Sequence, residues 1–221
     1  MKFFYDINPI NESTYKIKIQ NDKTQSIIES IIPLYKSIQY MLDSVHYDSE
    51  TTCIYVSAEK VTTLYNFTLK NMSHNICIKM IDDLTKQMIY LKKIQYGFYG
   101  LNIEDIVIID NTFIVCSSQH LLPIEEDRII FYSPIKQTYF SNPEIMKLTT
   151  LPSEVDYKCV YYSLGSLVIF CLLKKYLLVA NEIKNTEEVE YIIAPIKNTK
   201  IYWFLKRCLE ENIEKRILLL I

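Results

Sequence analysis

Residues 98–116, FYGLNIEDIVIIDNTFIVC, join a glycine-containing loop to two short apolar runs. The runs Ile106–Ile109 and Phe113–Cys116 have the length and the apolar character of short strands. Asp110-Asn111 lies between them, and these residue types are common in tight turns. The sequence therefore predicts two paired strands directly after an acidic loop.

A long helix is predicted immediately before this loop. Between Ser73 and Tyr96, five apolar residues recur at steps of three and four, which places them on one face of a helix: Cys77, Ile81, Leu84, Met88 and Leu91. Ser73 is a residue type that often caps a helix N-terminus. We expect this amphipathic helix to pack one face against a core.

The first third of the chain has the pattern of a small α+β region. Residues 15–20 alternate apolar and polar side chains, which is the period of a half-exposed strand. Apolar residues then recur at helical spacing from Thr24 to Leu42, and we expect Pro33 to kink that helix or to end its first part. A polar turn within residues 46–56 predicts a hairpin.

The last two thirds are predicted to be mostly helical. A polar, irregular stretch leads to Pro143, and Tyr157–Leu173 is apolar enough on all sides to be a central helix. Its longest apolar run, Leu164–Leu173, has about half of the roughly 20 residues needed to span a bilayer, so we interpret it as a buried helix. Another helical stripe runs from Ile201 to Leu209.

The composition argues against several kinds of partner and site. Lysine and arginine number 24 and aspartate and glutamate 26, a formal net charge of -2, so nucleic acid and anionic membranes are not expected as partners. The cysteines occur singly, without a CxxC pair or a histidine at ligand spacing, which argues against a zinc site or a redox motif. We expect most of them to be reduced and buried: Cys53, Cys77, Cys116, Cys159, Cys171 and Cys208.

The start of the chain predicts an intracellular, cytoplasmic protein. Residues 1–10 reach an acid at Asp6 and never develop the apolar stretch of a secretory signal. The chain has only 3 glycines beside 18 tyrosines, with abundant isoleucine, lysine and asparagine, a bias that resembles coding in an AT-rich genome such as that of a large DNA virus. Association with a virus particle is the alternative location that this bias suggests.

Four segments, in order, resemble the C-terminal lobe of the protein kinase superfamily. They are similar in turn to the catalytic loop, the Ala-Pro-Glu motif, the Trp-Ser-Leu-Gly stretch and the C-terminal segment with its arginine: Phe98–Ile106, Ser141–Glu144, Tyr162–Gly165 and Cys208–Arg216. Each segment alone is a weak match, whereas four in the right order are specific. The N-terminal third matches only by its order of strand, helix and hairpin.

The resemblance implies an α+β fold with two lobes in one kinase-like domain. It implies a small, reduced, β-rich N-lobe with one helix over residues 1–60 and a mainly helical C-lobe over residues 61–221. Lys18 would stand where the family has its phosphate-pairing lysine, and Glu29 where that lysine's helix partner stands. An alternating strand with outward lysines is also typical of a solvated face, so both interpretations of Lys18 stay open.

Three residues match positions that hold the kinase fold together. The resemblance implies a buried ion pair between Glu144 and Arg216, which ties the activation segment to the C-lobe, and Gly165 is the glycine of the Trp-Ser-Leu-Gly stretch. Removing one partner of such a pair costs about 3–5 kcal/mol, so the pair is a requirement of the fold and not of catalysis.

The residues that would transfer phosphate are replaced. With Asp105 at the family's metal-binding asparagine, the catalytic aspartate falls at Gly100, which has no side chain to accept a proton. The phosphate-contacting lysine becomes Asn102, and the main magnesium ligand becomes Ser117, with no acidic residue nearby to replace it. The N-terminal region also lacks glycines for a glycine-rich loop. No catalytic residue and no cofactor are therefore expected.

For the remaining candidate residues, a structural role is expected or stays an alternative to a functional one. Glu104 and Asp105 are adjacent on an extended loop, so we expect solvated acids and not a shared metal site. The histidines lie far apart in the sequence and beside no nucleophile, which argues against a hydrolytic triad: His46, His74 and His120. For Trp203, an interface position and a core position remain alternatives.

Together these patterns indicate a catalytically inactive kinase-like protein, a pseudokinase, that acts as a protein-interaction, scaffold or regulatory module. Its partner would be a protein of unknown identity. Two alternatives stay open. The first is an atypical kinase or nucleotide-binding protein with residual ATP binding through Lys18 and Glu29, and the second is a structural component of a virus particle.

Overall fold

The computed structural model describes residues 5–19, 25–48, 50, 53–68, 72–135 and 137–219, without the side chains of 5, 19 and 25–29. The protein is a mixed α+β structure with several small sheets, which confirms the predicted class. Its contacts define a first unit, Met1–Lys70, Asp83–Gly97 and Ile103–Pro123, and a second unit, Asn71–Asp82, Phe98–Asn102 and Ile124–Ile221. A lobe boundary at residue 60 stays a prediction.

The first unit begins with a four-stranded antiparallel sheet and a helix. The elements are β1 (Tyr5–Asn11), β2 (Thr14–Ile19), α1 (Gln25–Met41), β3 (Val45–Asp48) and β4 (Cys53–Ser57). The strand order is β1-β2-β4-β3, so β2 lies between β1 and the β3–β4 hairpin. The predicted order of strand, helix and hairpin is confirmed, whereas β1 was not predicted.

Helix α1 continues through Pro33, so the predicted end of the helix at this proline is wrong, whereas the alternative, a kink, stays a prediction. A proline inside a helix removes one backbone hydrogen bond and destabilises an isolated helix. In this protein Ile31, Leu34 and Ile38 on the same helix are almost fully buried. Burial of that apolar face supplies the stability that outweighs the lost hydrogen bond.

Seven further elements follow along the chain. They are β5 (Val61–Thr63), α2 (Leu64–Thr68), α3 (His74–Lys93), β6 (Tyr96–Phe98), β7 (Ile106–Ile109), β8 (Thr112–Val115) and β9 (Leu121–Pro123). The predicted long helix and the predicted strand pair are both present, as α3 and β7–β8. Ser73 accepts a hydrogen bond from the Ile76 backbone N–H at 3.3 Å, as expected of an N-cap.

Buried polar side chains of α3 form hydrogen bonds with backbone N–H and C=O groups of strand β8. The sheet order is β5-β7-β8, which leaves one edge of β8 without a neighbouring strand in the described part of the chain. Gln87 accepts a hydrogen bond from the Val115 backbone N–H at 2.8 Å and donates to the Val115 carbonyl at 3.1 Å. Asp83 accepts from the Phe113 N–H at 3.0 Å. These bonds explain why a helix face in the core contains polar residues.

The second unit is built around one apolar helix. Its elements are β10 (Arg128–Phe131), α4 (Pro143–Met146), β11 (Ser153–Asp156), α5 (Cys159–Leu173), β12 (Leu178–Val179), β13 (Glu182–Ile183), α6 (Thr186–Ile193) and α7 (Lys200–Cys208). Most residues of α5 are buried, and the predicted central helix is confirmed. Strand β10 lies in the stretch before Pro143 for which irregular structure was predicted, and it pairs with β11, for which no structure was predicted.

Gly165 lets the end of α7 approach α5 closely. A Cβ atom at this position would lie 2.9 Å from Leu209 Cδ2 and 3.3 Å from Cys208 Cβ. Both distances are shorter than ordinary van der Waals contact, so a side chain here would force the Leu209 and Cys208 side chains to shift. Close packing against Leu209 and Cys208 therefore explains why residue 165 is a glycine.

All six cysteines are free and buried, which confirms the predicted burial. Burial raises the pKa of Cys77 and of Cys116 to about 12, so these thiols stay protonated at neutral pH. None of the described helices combines the length and the apolar character that crossing a bilayer requires.

Trp203 lies on the surface of α7. Its side chain is 57% exposed and packs edge-to-face on the neighbouring Tyr202, which is itself buried. The core alternative for this residue is therefore wrong, because the buried face of α7 is formed by its neighbours Ile201, Phe204 and Leu205.

Candidate functional site

The positions that resemble the kinase catalytic machinery differ in their surroundings. In the second unit, Gly100 is buried and Asn102 is half-buried. In the first unit, Asp105 and Ser117 are both buried, and Ser117 Oγ accepts a hydrogen bond from the Gln119 N–H at 3.2 Å. Of these four residues, only Asp105 carries a carboxylate.

Asp105 forms a buried pair with His120. Asp105 Oδ2 lies 3.0 Å from His120 Nδ1, and the two residues are 1% and 4% exposed. Asp105 Oδ1 has no hydrogen-bond partner within the described part of the chain. The expectation that Asp105 is a solvated acid is therefore wrong.

The local backbone explains why Asp105 points inward. Residues Ile103–Asp105 form a short 3-10 turn that leads into the fully buried strand β7. The Cys116 backbone N–H donates to the Asp105 carbonyl at 2.8 Å, which fixes the turn beside the end of β8. Asp105 and His120 are fifteen residues apart, and no periodic pattern links them, so sequence analysis missed the pair.

Because of this pair, Asp105 is poorly suited to hold a metal–nucleotide complex. One carboxylate oxygen already contacts an imidazole, and the side chain is closed off from solvent. Among the described residues, no group of three or more acidic, histidine or cysteine side chains has an arrangement that could hold a metal ion. The contact between Asp105 and His120 can instead stabilise the loop between α3 and β7.

Lys18 and Glu29 are not brought together by any described contact. Lys18 is exposed on β2, where its neighbours across the sheet are Asp6 on β1 and Cys53 on β4. Glu29 belongs to helix α1, but its side chain lies outside the described residues. The proposed lysine–glutamate pair stays a prediction, and the exposure of Lys18 agrees with a solvated face.

The ion pair that the resemblance implies between Glu144 and Arg216 is present, and we call it the clasp. Arg216 Nη1 and Nη2 donate to the two carboxylate oxygens of Glu144 at 2.8 and 2.9 Å. Arg216 Nε donates to the Glu210 carbonyl at 2.8 Å, and the guanidinium lies 5.3 Å from the Tyr162 ring centroid. A bidentate pair in which the arginine Nε also donates a hydrogen bond is geometrically specific.

Burial makes the clasp energetically asymmetric. The Arg216 side chain is 0% exposed, whereas that of Glu144 is 19% exposed. Burial also raises the pKa of Tyr162 to about 12, although the nearby Arg216 charge opposes this rise. Arg216 therefore depends on Glu144 for compensation of its charge, while Glu144 keeps some access to water.

Asn142 joins the start of α4 to two other parts of the second unit. Its Oδ1 accepts from the Ile145 N–H at 3.0 Å, as an N-cap does, and its Nδ2 donates to the Tyr99 carbonyl at 2.8 Å. The same Nδ2 donates to Ser163 Oγ on α5 at 3.1 Å. Asn142 is 0% exposed, and sequence analysis did not single it out.

We predict that Asn142→Ala lowers the free energy of unfolding by about 2–4 kcal/mol, because it removes a helix cap and leaves buried groups unpaired. Asn142→Asp should be at least as destabilising, since it keeps the cap acceptor but places a buried carboxylate oxygen against the Tyr99 carbonyl. Chemical denaturation checks both variants. Asn75→Ala, at an exposed position of α3, is the control. Equal stability of the Asn142→Ala and Asn75→Ala proteins would contradict the prediction.

A groove with a cavity volume of about 590 Å³ lies beside the clasp in the second unit, and we call it the α4–α7 groove. It is bounded by α4, α5, β13, α6 and α7 and by the residues that follow α7. Its floor consists of buried apolar or aromatic side chains: Tyr162, Val189, Ile193 and Leu205. Its volume is within the range of sites that bind ligands.

Internal contacts hold the rim of the groove in place. Asn185 and Glu188 form a reciprocal capping box at the start of α6, and Lys184 donates to Glu188 at 3.0 Å. The Lys184 hydrogen bond lowers the pKa of Glu188, which keeps that carboxylate ionised. Glu190 on α6 accepts hydrogen bonds from Lys206 and from the Tyr202 hydroxyl on α7. Helices α6 and α7 are thus cross-linked.

A scan of the chain against protein-family models finds no match, and a search of curated proteins finds none either. The kinase resemblance therefore rests on the four sequence segments and on the contacts that their residues make.

Proposed function

We propose that this protein has a two-lobed, kinase-like fold and acts by binding a protein partner, without transferring phosphate. The clasp is the observation that carries this proposal. Glu144 and Arg216 are seventy-two residues apart, and the kinase resemblance pairs these two positions. If the similarity of the short segments were a coincidence, there would be no reason for Glu144 and Arg216 to form a bidentate, buried ion pair.

The residues at the positions that resemble the kinase catalytic machinery support the absence of phosphate transfer. The reaction needs a carboxylate that accepts the hydroxyl proton and acidic or amide ligands for magnesium. Gly100 offers no side chain, Ser117 offers a neutral hydroxyl, and the carboxylate of Asp105 is engaged by His120. The residues that stabilise the fold are kept, while those that would perform chemistry are absent or occupied.

Exposed aromatic residues in the second unit support a role in binding. Tyr191 on α6 is 84% exposed and Trp203 on α7 is 57% exposed. Tryptophan and tyrosine are enriched at protein interfaces, because they combine a large apolar surface with a polar group. The partner class is therefore proposed to be protein, in a cytoplasmic or virus-particle setting.

We predict that ATP leaves the melting temperature of the purified protein unchanged, with or without magnesium. A ligand at 100 times its dissociation constant would stabilise the fold by about 2.7 kcal/mol, which a thermal-shift titration detects easily. A concentration-dependent rise that Lys18→Ala removes, and that the exposed control Lys36→Ala retains, would instead support the nucleotide-binding alternative.

A further inference from the structure

The stretch of the second unit from residue 191 to residue 209, which includes α7, carries positive charge only. It contains no aspartate or glutamate, although the whole chain has a formal net charge of -2, and it contains four cations: Lys197, Lys200, Lys206 and Arg207. Lys206 is paired with Glu190 on α6. The other three are exposed, and none of them forms an ion pair with a described residue. Three cations of this stretch therefore face solvent.

Two of these cations share one side of α7 with an exposed aromatic residue. Lys200, Trp203 and Arg207 follow one another at steps of three and four residues, so they lie on the same side of the helix, which we call the α7 face. Trp203 is 57% exposed. The next acids along the chain, Glu210 and Glu211, belong to the lining of the α4–α7 groove, whereas none of the three residues does.

The segment that follows α7 adds apolar surface at one end of the α7 face. The Ile217 backbone N–H donates to the Arg207 carbonyl at 3.4 Å, and the Ile217 side chain is 50% exposed. Glu214 and Lys215 in the same segment carry opposite charges, so this segment leaves the positive sign of the face unchanged.

Helix α7 is held in place by contacts within its own unit. Thr199 Oγ1 accepts a hydrogen bond from the Tyr202 backbone N–H at 3.2 Å, as an N-cap does. The Tyr202 hydroxyl donates to Glu190 on α6 at 3.2 Å. The α7 face is thus formed in advance, and a preformed surface lowers the entropic cost of binding.

The composition and the size of the α7 face favour an acidic protein segment as its occupant. Tryptophan and arginine are enriched among the residues that dominate protein–protein binding energy, and cations select a partner of opposite charge. From Lys200 to Arg207 the face extends about 10 Å, the length of a few residues. A nucleic acid or an anionic bilayer is negative over a far larger area and would meet the excess of acids elsewhere on the chain.

We propose that the α7 face docks a short acidic segment of a protein partner. An apolar side chain of that segment packs on Trp203, and its carboxylates pair with Lys200 and Arg207. This inference rests on the proposed binding function and names the surface and the chemistry of the partner.

Trp203 is the only tryptophan of the chain, so tryptophan fluorescence reports on the α7 face alone. Random twelve-residue peptides displayed on phage are selected on the immobilised full chain, and synthetic versions of the enriched peptides are titrated into it. The enriched peptides are expected to combine aspartate or glutamate with an apolar residue. Their binding should shift the Trp203 emission to shorter wavelength and reduce its quenching by acrylamide, because the peptide removes the indole from water.

Charge reversal supplies a second measurement. The double variant Lys200→Glu/Arg207→Glu should bind the same peptides about tenfold or more weakly, and their affinity for the unmodified chain should fall with added salt. The matched control is Lys36→Glu/Lys175→Glu, which reverses two exposed charges outside the α7 face and should leave affinity unchanged. Equal melting temperatures of the two variants show that a loss of binding does not reflect unfolding. If the melting temperatures differ, the fluorescence change of the unmodified chain still decides.

The proposal is overturned if no peptide is enriched, or if the enriched peptides are basic or uncharged. It is also overturned if acidic peptides leave the Trp203 emission unchanged or bind two equally stable double variants equally. A third contrary result is a change of the emission with a single-stranded thymidine oligonucleotide or with phosphatidylserine vesicles, but not with acidic peptides. A failure here leaves the proposed function standing, because that function is tested separately by phosphate transfer.

Discussion

Glu144→Ala is expected to lower the free energy of unfolding by about 3–5 kcal/mol, far more than a typical surface substitution. The reason is that the charged side chain of Arg216 remains buried in this variant. Arg216 has a fully buried side chain, and without Glu144 the contacts that remain to its guanidinium among the described residues are the Glu210 carbonyl and the face of Tyr162. A buried charge without a counter-ion destabilises the folded state strongly, whereas an exposed ion pair contributes about 0–1 kcal/mol. Urea denaturation followed by circular dichroism measures the difference.

A double-mutant cycle with Arg216→Met separates the ion pair from general loss of packing. The double variant should be less destabilised than the sum of the two single variants, because the second substitution no longer leaves an unpaired buried charge. Glu154→Ala removes an exposed glutamate of the same unit and should change stability by less than about 0.5 kcal/mol. Additive single variants, or a Glu144→Ala protein as stable as the Glu154→Ala protein, would show that the clasp does not stabilise the fold.

His120→Ala is expected to have a similar effect, a loss of about 3–5 kcal/mol, because it leaves the Asp105 carboxylate buried without a side-chain partner. Asp105 is 1% exposed, and its other carboxylate oxygen already has no partner among the described residues. Water therefore has little access with which to replace the lost interaction. The same denaturation experiment measures the change.

Removal of the Asp105 charge should restore part of the stability that the His120→Ala protein has lost. In the His120→Ala background, Asp105→Asn replaces a buried carboxylate by a neutral amide of the same shape, so the double variant should be more stable than His120→Ala alone. His74→Ala, at an exposed position, is the control and should be nearly neutral. If Asp105→Asn further destabilises the His120→Ala protein, the buried-charge explanation is wrong.

Local periodicity was sufficient to predict most of the helices. The stripe from Cys77 to Leu91 identified α3, and the apolar run ending at Leu173 identified α5, because in each helix the local sequence shows which residues are buried. Strand β1 was missed, since its sequence contains Pro9, and proline is uncommon inside strands. The sequence did not decide between a kink and a helix end at Pro33, because the stability of α1 comes from tertiary burial, which the local sequence does not reveal.

The candidate sites were predictable only where a family resemblance linked distant residues. Glu144 and Arg216 are seventy-two positions apart, and composition alone would have placed both on the surface. No motif connects Asp105 with His120, so their pair became visible only in the folded chain. The α4–α7 groove was not predicted at all, because its lining comes from four separate stretches of the chain.

Transfer of radiolabelled phosphate from magnesium-ATP tests the central claim most directly. With the purified full chain, incorporation into the protein itself and into added protein acceptors is expected to stay at the level of a control without the protein. Incorporation well above that level, and abolished by Asp105→Asn in a variant that still folds, would contradict the account.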